Sequence, residues 1–213
     1  MSTSTRSSKS LAVVRDSSER DGAAARILVF AGSTREASFN RKLAIAAARA
    51  IERVGGEATM MDLRDHPLPL YDGDLEASAG LPLGVRPLKE LFKSHDGLFI
   101  ASPEYNGSIS AVLKNTLDWV SRPAGDEAGT VPYANKVVAL GATSPGALGG
   151  LRGLVHLRAV LQSVGALVLS EQIAVGSAGS AFKPDGALSD ERMQQMLERI
   201  ALRLVDVASR LRD

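Results

Sequence analysis

Residues 26–40, RILVFAGSTREASFN, decide the fold that this sequence predicts. The apolar run Arg26–Ala31 is typical of a strand buried at the centre of a parallel sheet. A polar loop follows, and apolar residues then return at helical spacing, at Leu43, Ala47, Ala50, Ile51 and Val54. The stretch therefore predicts a strand, a loop and a helix in succession, which is the repeating unit of doubly wound α/β domains.

The same unit recurs along the rest of the chain. Further strands are predicted at Glu57–Asp62, Gly97–Ala101, Lys136–Gly141 and Gly165–Ile173. Further helices are predicted at Val85–Ser94, Ile109–Val120, Gly149–Ser163 and from the turn at Pro184 to Leu211. The segments Leu63–Leu83 and Pro123–Pro132 are predicted to be irregular. Strands alternating with helices in this way predict the α/β fold class, with a doubly wound five-stranded parallel sheet in a three-layer α/β/α arrangement.

The composition excludes several classes of function. The chain has no cysteine, which rules out disulfides, iron–sulfur clusters and a cysteine nucleophile, so redox chemistry would need a bound cofactor. Lys and Arg total 25 against 24 for Asp and Glu, so no basic surface for nucleic acid is expected. No apolar run approaches the length of a membrane span. His66, His95 and His156 are too scattered for a metal site, and none is predicted.

Residues 1–25 are rich in serine and charge and carry little apolar surface. They predict a disordered N-terminal tail before a domain at 26–213. Residues 1–15 are basic and lack acidic side chains, as in organelle transit peptides. No sustained amphipathic helix accompanies them, so a solvated extension is favoured and a cytoplasmic location is expected.

Polar loops follow the first, third and fourth predicted strands, at Gly32–Asn40, Ser102–Ser108 and Thr143–Gly146. In an open parallel sheet, ligands bind beyond the carboxyl ends of the strands, at the point where the winding direction reverses. We therefore expect the loops to converge on one small molecule. The first loop would hold a phosphate against a helix N-terminus, and the second would offer a flat polar surface to a ring.

The first loop has neither the Gly-x-Gly-x-x-Gly spacing of dinucleotide folds nor the Gly-Lys-Ser/Thr ending of triphosphate-binding loops, so a monophosphate is expected. A phosphate monoester suits one guanidinium together with several hydroxyl and amide donors. The expected donors are Ser33, Arg35, Ser38 and Asn40. In the alternative, Ser38 only caps the following helix and Arg35 is a solvated side chain. Convergence of three polar loops favours the phosphate, because capping alone predicts no convergence.

Three motifs carry a resemblance to a known family. They are GSTREASFN at 32–40, SPEYNGS at 102–108 with LKN at 113–115 and DW at 118–119, and TSPG at 143–146 with Gly149, Gly150 and Arg152. On these motifs the sequence resembles the NADPH-dependent FMN reductase family of flavodoxin-like quinone, azo-dye and chromate reductases. The resemblance runs from about Arg26 to the last helix, and it implies a flavodoxin-like fold.

The resemblance implies FMN held without a covalent link, with its phosphate at Ser33, Arg35, Ser38 and Asn40. The ring would rest on the second loop, and the third loop would border the ribityl chain and the ring. The residues concerned are Pro103, Glu104, Tyr105, Asn106, Gly107 and Ser108 in the second loop and Thr143, Ser144 and Gly146 in the third. No catalytic side chain is expected, because the flavin carries the chemistry.

The resemblance also implies NADPH or NADH as co-substrate and a homodimer or homotetramer whose partner chain helps to enclose the flavin. Electrons would pass from the flavin to a quinone, an azo compound, a metal oxyanion or free flavin. Two other functions stay open, a flavodoxin-type electron shuttle and a non-redox interaction protein with the same fold. Shuttles are usually strongly acidic, whereas this chain has a formal net charge of +1.

Several side chains admit two interpretations each. Tyr105 either stacks near the flavin or nicotinamide, or packs as a structural residue. Glu104 either tunes the ring or, as we favour, is a surface charge at a helix start. Trp119 either anchors a subunit interface or lies in the core.

Leu154 departs from the family pattern, in which a polar amide is frequent at this place.

Overall fold

The computed structural model describes residues 23–212. Its strands are β1 Arg26–Ala31, β2 Glu57–Met61, β3 Gly97–Ala101, β4 Glu104–Tyr105, β5 Ser108–Ile109, β6 Val137–Thr143 and β7 Leu167–Val175. Five of them form a parallel sheet in the order β2-β1-β3-β6-β7, and β4 and β5 form a small antiparallel hairpin. The chain moves to one side of β1 through β2 and to the other through β3, so the winding reverses between β1 and β3.

Helices cover both faces of the large sheet. They are α1 Phe39–Arg53, α2 Gly73–Ala79, α3 Val85–Lys93, α4 Ala111–Val120, α5 Leu151–Ser163 and α6 Glu191–Arg210, with short 3₁₀ helices at Leu63–Asp65 and Val131–Tyr133. One core lies between the sheet and α1 and α6, and the other lies between the sheet and α3, α4 and α5. Ile27 and Val29 of β1 point into the first core, while Leu28 and Phe30 point into the second. An apolar run without alternation is therefore what this central strand requires.

The predicted fold class is confirmed, and the five predicted strands and five long helices are all present. Strands β6 and β7 continue to Thr143 and Val175, beyond their predicted ends. Helix α2 lies in a segment that was predicted to be irregular. The sequence carries no sign of this helix, because none of its residues is buried and it has no apolar periodicity. The β4-β5 hairpin lies inside the second polar loop and was likewise missed.

The described structure begins inside the predicted tail. Ala25 is 1% exposed and belongs to the core beneath α1 and α6, and the carbonyl of Ala24 accepts a hydrogen bond from Arg212. The predictions for the tail, including the transit-peptide alternative, otherwise concern residues 1–22, which lie outside the described residues. Between residues 23 and 212, no helix combines the length and the apolar character that crossing a membrane requires.

The segment between β2 and α3 folds back over α4. Trp119 is fully buried, and its Nε1 donates a hydrogen bond to the carbonyl of Pro69 at 2.8 Å. The ring of Tyr71 meets Trp119 edge-on, with 5.0 Å between centroids. Asn115 donates to Pro69 O and accepts from the Tyr71 N–H, both at 2.8 Å. Trp119 is therefore a core residue of its own chain, and the interface interpretation is wrong.

His95 lies just before β3, at the end of the sheet away from the polar loops, and is 3% exposed. Its Nδ1 is 2.7 Å from the carbonyl of Leu91 and donates to it, while Nε2 has no partner among residues 23–212. Burial lowers the pKa of His95, and the Leu91 carbonyl and Asp96 only partly oppose this shift. The cations Arg26 and Lys136 reinforce it. The folded protein therefore favours the neutral imidazole.

We expect the free energy of unfolding to fall as the pH is lowered from about 7 to about 5, because the unfolded chain protonates His95 near its ordinary pKa of about 6.5 while the folded chain resists protonation. Urea unfolding across this pH range measures the effect. In the His95→Asn variant the amide keeps a donor for Leu91 O but does not titrate, so the fall should be smaller. An equal fall in both proteins would contradict this role.

Candidate functional site

The carboxyl ends of β1, β3 and β6 lie side by side, because β3 pairs with both other strands. In the structure the first loop is residues 32–38, because Phe39 and Asn40 already belong to α1. The second loop is residues 102–109, and the third loop begins after Thr143, the last residue of β6, and runs over residues 144–150 to the start of α5. The Gly32 N–H donates to Ala101 O at 2.9 Å, and the Ser102 N–H donates to Gly141 O at 2.8 Å. The structure thus brings the three polar segments to one edge of the sheet.

The first loop presents unbonded donors at the start of α1. Within the described part of the chain, no acceptor bonds the backbone N–H groups of Ser33, Thr34, Phe39 and Asn40. Helix α1 also has no acidic residue in its first turn. Free N–H groups at the positive end of a helix dipole favour a bound anion.

The predicted phosphate donors of the first loop differ in exposure. Arg35 is exposed and has no ion-pair partner within residues 23–212, while its N–H donates to Ser33 Oγ at 3.3 Å. Ser38 is 4% exposed, and its hydroxyl caps α1 by accepting the Arg41 N–H at 3.4 Å. The capping alternative for Ser38 is thus present in the structure. The Arg35 guanidinium and the hydroxyl hydrogen of the half-buried Ser33, by contrast, have no partner among the described residues.

Asn40 joins the start of α1 to the end of β6. Its Nδ2 donates to Thr143 O at 2.9 Å, and its Oδ1 accepts the Thr143 N–H at 3.0 Å. The side chain is buried, with the residue 4% exposed. Sequence reasoning expected this side chain to contact a phosphate directly, but the structure uses it to tie two segments of the site together.

The second loop is a tight hairpin. Asn106 and Gly107 have φ values of 53° and 78°, the left-handed conformations of a type I′ turn, which Asn-Gly sequences favour. Tyr105 is 49% exposed and Asn106 is also exposed at the tip, whereas Pro103 is buried beneath it. The exposure of Tyr105 favours a role in binding over internal packing. The hairpin therefore offers an exposed surface with a tight turn at its tip, beside the first loop.

Glu104 lies at the base of this hairpin and points into the start of α5. Its carboxylate accepts the backbone N–H groups of Arg152 at 3.0 Å and Gly153 at 3.2 Å, and it pairs with the Arg152 guanidinium. The side chain is 8% exposed. Burial raises the pKa of this carboxyl, but Arg152 and the two amides outweigh it and hold the pKa below its usual range. Glu104 does sit at a helix start, as favoured, but it is a buried anion and its helix is α5.

The third loop is pressed against β7. Thr143 Oγ1 donates to Val175 O at 2.8 Å, and the Ser144 N–H donates to the same carbonyl at 3.2 Å. Gly149 has φ 62°, and a Cβ there would lie 2.6 Å from the Val175 backbone nitrogen. Glycine is therefore required where this loop crosses the strand. Gly146 is exposed and Ser144 is half-buried.

Two contributors to the site were not singled out from the sequence. Ser110 is 1% exposed, and its hydroxyl donates to Gly32 O and accepts the Leu113 N–H, so it joins the first loop to the start of α4. A serine directly before an apolar helical stripe is the signal that could have revealed it. Gly153 lets the hairpin approach α5, since a Cβ there would lie 3.3 Å from Glu104 Cβ. Its spacing of one helical turn from Gly150 was the available signal.

The site offers binding groups, not acid–base machinery. The Glu104 carboxylate is engaged by α5, and the Nδ1 of His156 lies 3.0 Å from Ser108 Oγ on the exposed side of the hairpin. Across residues 23–212 there is no group of three or more His, Asp or Glu side chains that could hold a metal ion. The arrangement can hold an anion and a flat ring, and a bound cofactor would have to supply redox chemistry.

Comparisons with known proteins agree with this geometry. The model of the NADPH-dependent FMN reductase family matches residues 25–180. An NAD(P)H-dependent FMN reductase of Pseudomonas aeruginosa is 31% identical over 175 residues, which cover 82% of this chain and 90% of the relative. A quinone reductase of Escherichia coli K12 is 34% identical over 149 residues, or 68% of this chain and 73% of the relative.

A solved structure extends the likeness to three dimensions. FerB, a flavoenzyme NAD(P)H:(acceptor) oxidoreductase from Paracoccus denitrificans, matches with a TM-score of 0.74 at 29% identity, covering 87% of this chain and 98% of FerB. The resemblance drawn from the sequence motifs is confirmed. The chain belongs to the NADPH-dependent FMN reductase family, so it is an oxidoreductase that works with FMN and NAD(P)H.

Proposed function

We propose that this enzyme binds FMN non-covalently across its three loops, accepts hydride from NADPH or NADH, and passes the electrons to quinones. The observation that carries the proposal is the open N-terminus of α1, with unbonded N–H groups and the unpaired Arg35 guanidinium among the described residues, placed beside an exposed hairpin. When bound, the flavin supplies the hydride-accepting chemistry. The residues of the chain hold the flavin, orient it and leave one side accessible.

The open and occupied helix N-termini support a phosphate at α1. Helix α5 also begins at this edge, but its first amides are already bound by the Glu104 carboxylate, which would repel a second anion. Helix α4 is capped by Ser110. At α1, by contrast, free backbone donors, Ser33 and Arg35 would meet the phosphate, while Asn40 would position them by fixing the first turn of α1.

The hairpin and the third loop would hold the ring. Residues 103–108 would form its bed, with Tyr105 and Asn106 at the exposed tip. Residues 143–146 would border the other side of the ring. The Thr143 hydroxyl is hydrogen-bonded to β7, so Ser144 and Gly146 would be the residues that face the ligand. The polar groups of this bed are mostly backbone atoms, which suits recognition of a ring edge and requires no catalytic side chain.

Quinones are the acceptor class that we propose. The E. coli relative is named a quinone reductase, and a flat molecule could stack on a ring lying between the exposed hairpin tip and Gly146. The same exposed side would admit azo compounds, metal oxyanions or free flavin, so these acceptors are the alternatives to test. Family membership favours a reductase over an electron shuttle or a non-redox interaction protein.

We propose in addition that the enzyme is a homodimer, or a homotetramer built from such dimers. Leu148, Leu151 and Val155 form an apolar stripe that is 55%, 42% and 60% exposed and begins in the third loop. Such a stripe is costly in water, and a two-fold axis would let the same stripe of a second copy cover it. A partner seated there would border the proposed flavin site.

Removal of the free guanidinium should weaken FMN selectively. We expect Arg35→Ala to raise the dissociation constant of FMN about tenfold to a hundredfold, because a charge-assisted contact with the phosphate is lost. Riboflavin, which has no phosphate, should bind both proteins equally, and the melting temperature should not change. Quenching of flavin fluorescence measures both affinities. The matched control is Arg199→Ala, which removes an exposed arginine on α6. Equal weakening of FMN and riboflavin by Arg35→Ala would contradict the assignment.

The reaction itself can be tested on the FMN-loaded protein. Anaerobic NADPH or NADH should bleach the visible absorption of the flavin, and a benzoquinone should restore it. Steady-state kinetics should give the parallel lines of an alternating mechanism, because nicotinamide and acceptor would use the same exposed side of the ring. A flavin reduced by dithionite but by neither nicotinamide would favour the electron shuttle. A colourless protein that takes up no FMN would favour the interaction protein.

Charge in the apolar stripe should break the assembly. We expect Leu151→Asp to shift the protein towards a monomer in sedimentation velocity and to weaken FMN, because the second copy would no longer border the site. Leu202→Asp, which alters a 55% exposed leucine on α6, is the matched control. The proposal fails if Leu151→Asp keeps the wild-type oligomeric state.

A further inference from the structure

The N-terminus of α5 lacks a cap from its own segment. Its N-cap residue is Gly150, which has φ 91° and no side chain to accept a hydrogen bond. Capping side chains normally accept the N–H groups of the second and third helical residues. In α5 these residues are Arg152 and Gly153, and the carboxylate of Glu104, 48 and 49 residues away in sequence, accepts both.

We propose that Glu104 is a positioning residue for the flavin, because its carboxylate replaces the missing cap of α5 and thereby locks the ring-binding hairpin to the third loop. This inference rests on the proposed function for its effect on flavin. The contact joins two segments that the proposed ring would touch, the second loop just after Glu104 and the third loop just before α5. Movement of either segment would change the shape of the surface that would hold the flavin ring.

The packing around Glu104 requires this close approach. A Cβ at Gly153 would lie 3.3 Å from Glu104 Cβ and 3.3 Å from Ser108 O, and a Cβ at Gly150 would lie 3.7 Å from Glu104 Cβ. A side chain at Gly153, in the first turn of α5, would therefore press on the hairpin, whereas the distance at Gly150 is that of an ordinary van der Waals contact. Both strands of the hairpin sit against this turn, and the carboxylate fills the space between them and the helix.

The charge of Glu104 matters as well as its shape. Hydrogen bonds from amides to a carboxylate are stronger than those to a neutral oxygen, and a helix N-terminus adds a favourable dipole. The hairpin has only two residues in each strand, so its own ladder is a weak anchor. Glutamine at position 104 would keep the shape and lose the charge, which separates the two contributions.

The test uses Glu104→Gln and Glu104→Ala in the full chain, with two controls. Arg152→Ala removes a guanidinium that is 65% exposed but keeps both backbone amides. Glu191→Gln makes the same charge change in the first turn of α6, where the acid is exposed. Four quantities are measured: hydrogen exchange of residues 104–108 and 151–154 in the flavin-free protein, affinity for FMN, affinity for riboflavin, and the circular dichroism of the bound flavin.

We expect Glu104→Gln to speed exchange in both segments and to weaken FMN and riboflavin alike, by about tenfold, because two charge-assisted hydrogen bonds become ordinary ones. Glu104→Ala should weaken both flavins further, and the dichroism of the bound flavin should change in each variant. Arg152→Ala should weaken the affinity for each flavin by less than about threefold, as expected for the loss of an exposed ion pair. Glu191→Gln should change none of the four quantities.

The inference is overturned if Glu104→Gln keeps wild-type exchange and flavin affinity, or if Glu191→Gln has the same effect as Glu104→Gln. It is also overturned if Glu104→Ala loses flavin only in proportion to a fall in melting temperature, with the dichroism of the bound flavin unchanged. If the wild-type protein binds no flavin, the proposed function fails. The exchange measurement on the flavin-free protein still decides whether Glu104 locks the hairpin to α5.

Discussion

The pairing of β3 with both β1 and β6 is the constraint on which the rest of this structure depends. It brings three loops from distant parts of the chain to one edge of the sheet. Three buried side chains then tie the loops in pairs. Ser110 joins the first loop to the start of α4, Glu104 joins the hairpin to α5, and Asn40 joins α1 to the end of β6. The hydrogen bonds of Asn40 and Ser110 are buried, which strengthens them, whereas those of Glu104 gain strength from its charge.

The helix N-termini at this edge have different electrostatic roles. Helix α4 is capped by its own serine and α5 by a carboxylate from another segment, so their positive ends are already satisfied. Helix α1 has a serine cap for one amide but leaves others open, and no acidic side chain lies in its first turn. An incoming dianion would therefore meet one favourable helix end. This difference supports the orientation that we propose for FMN, with its phosphate at α1 and its ring towards α5.

Much of the fold, and the position of the candidate binding loops, was determined by local sequence. The uninterrupted apolar run of β1, the helical spacing after it and the polar residues between them specify strand, loop and helix without outside help. Repetition of this unit specifies the doubly wound class, and the Asn106-Gly107 pair specifies a tight turn. The candidate binding loops could be recognised because they are polar and follow strands. These features depend on residues that are close together in the chain.

The roles of individual side chains were decided only by tertiary structure. Asn40 and Glu104 both belong to recognised motifs, yet their partners lie 103 and 48 residues away, and no local pattern reveals such partners. Trp119 became a core residue because the chain after β2 folds back over α4. The sequence by itself determined which polar segments meet at one edge of the sheet. The tertiary structure decided which polar groups are used up in joining those segments and which remain free for a ligand, because that depends on which groups meet once the sheet has formed.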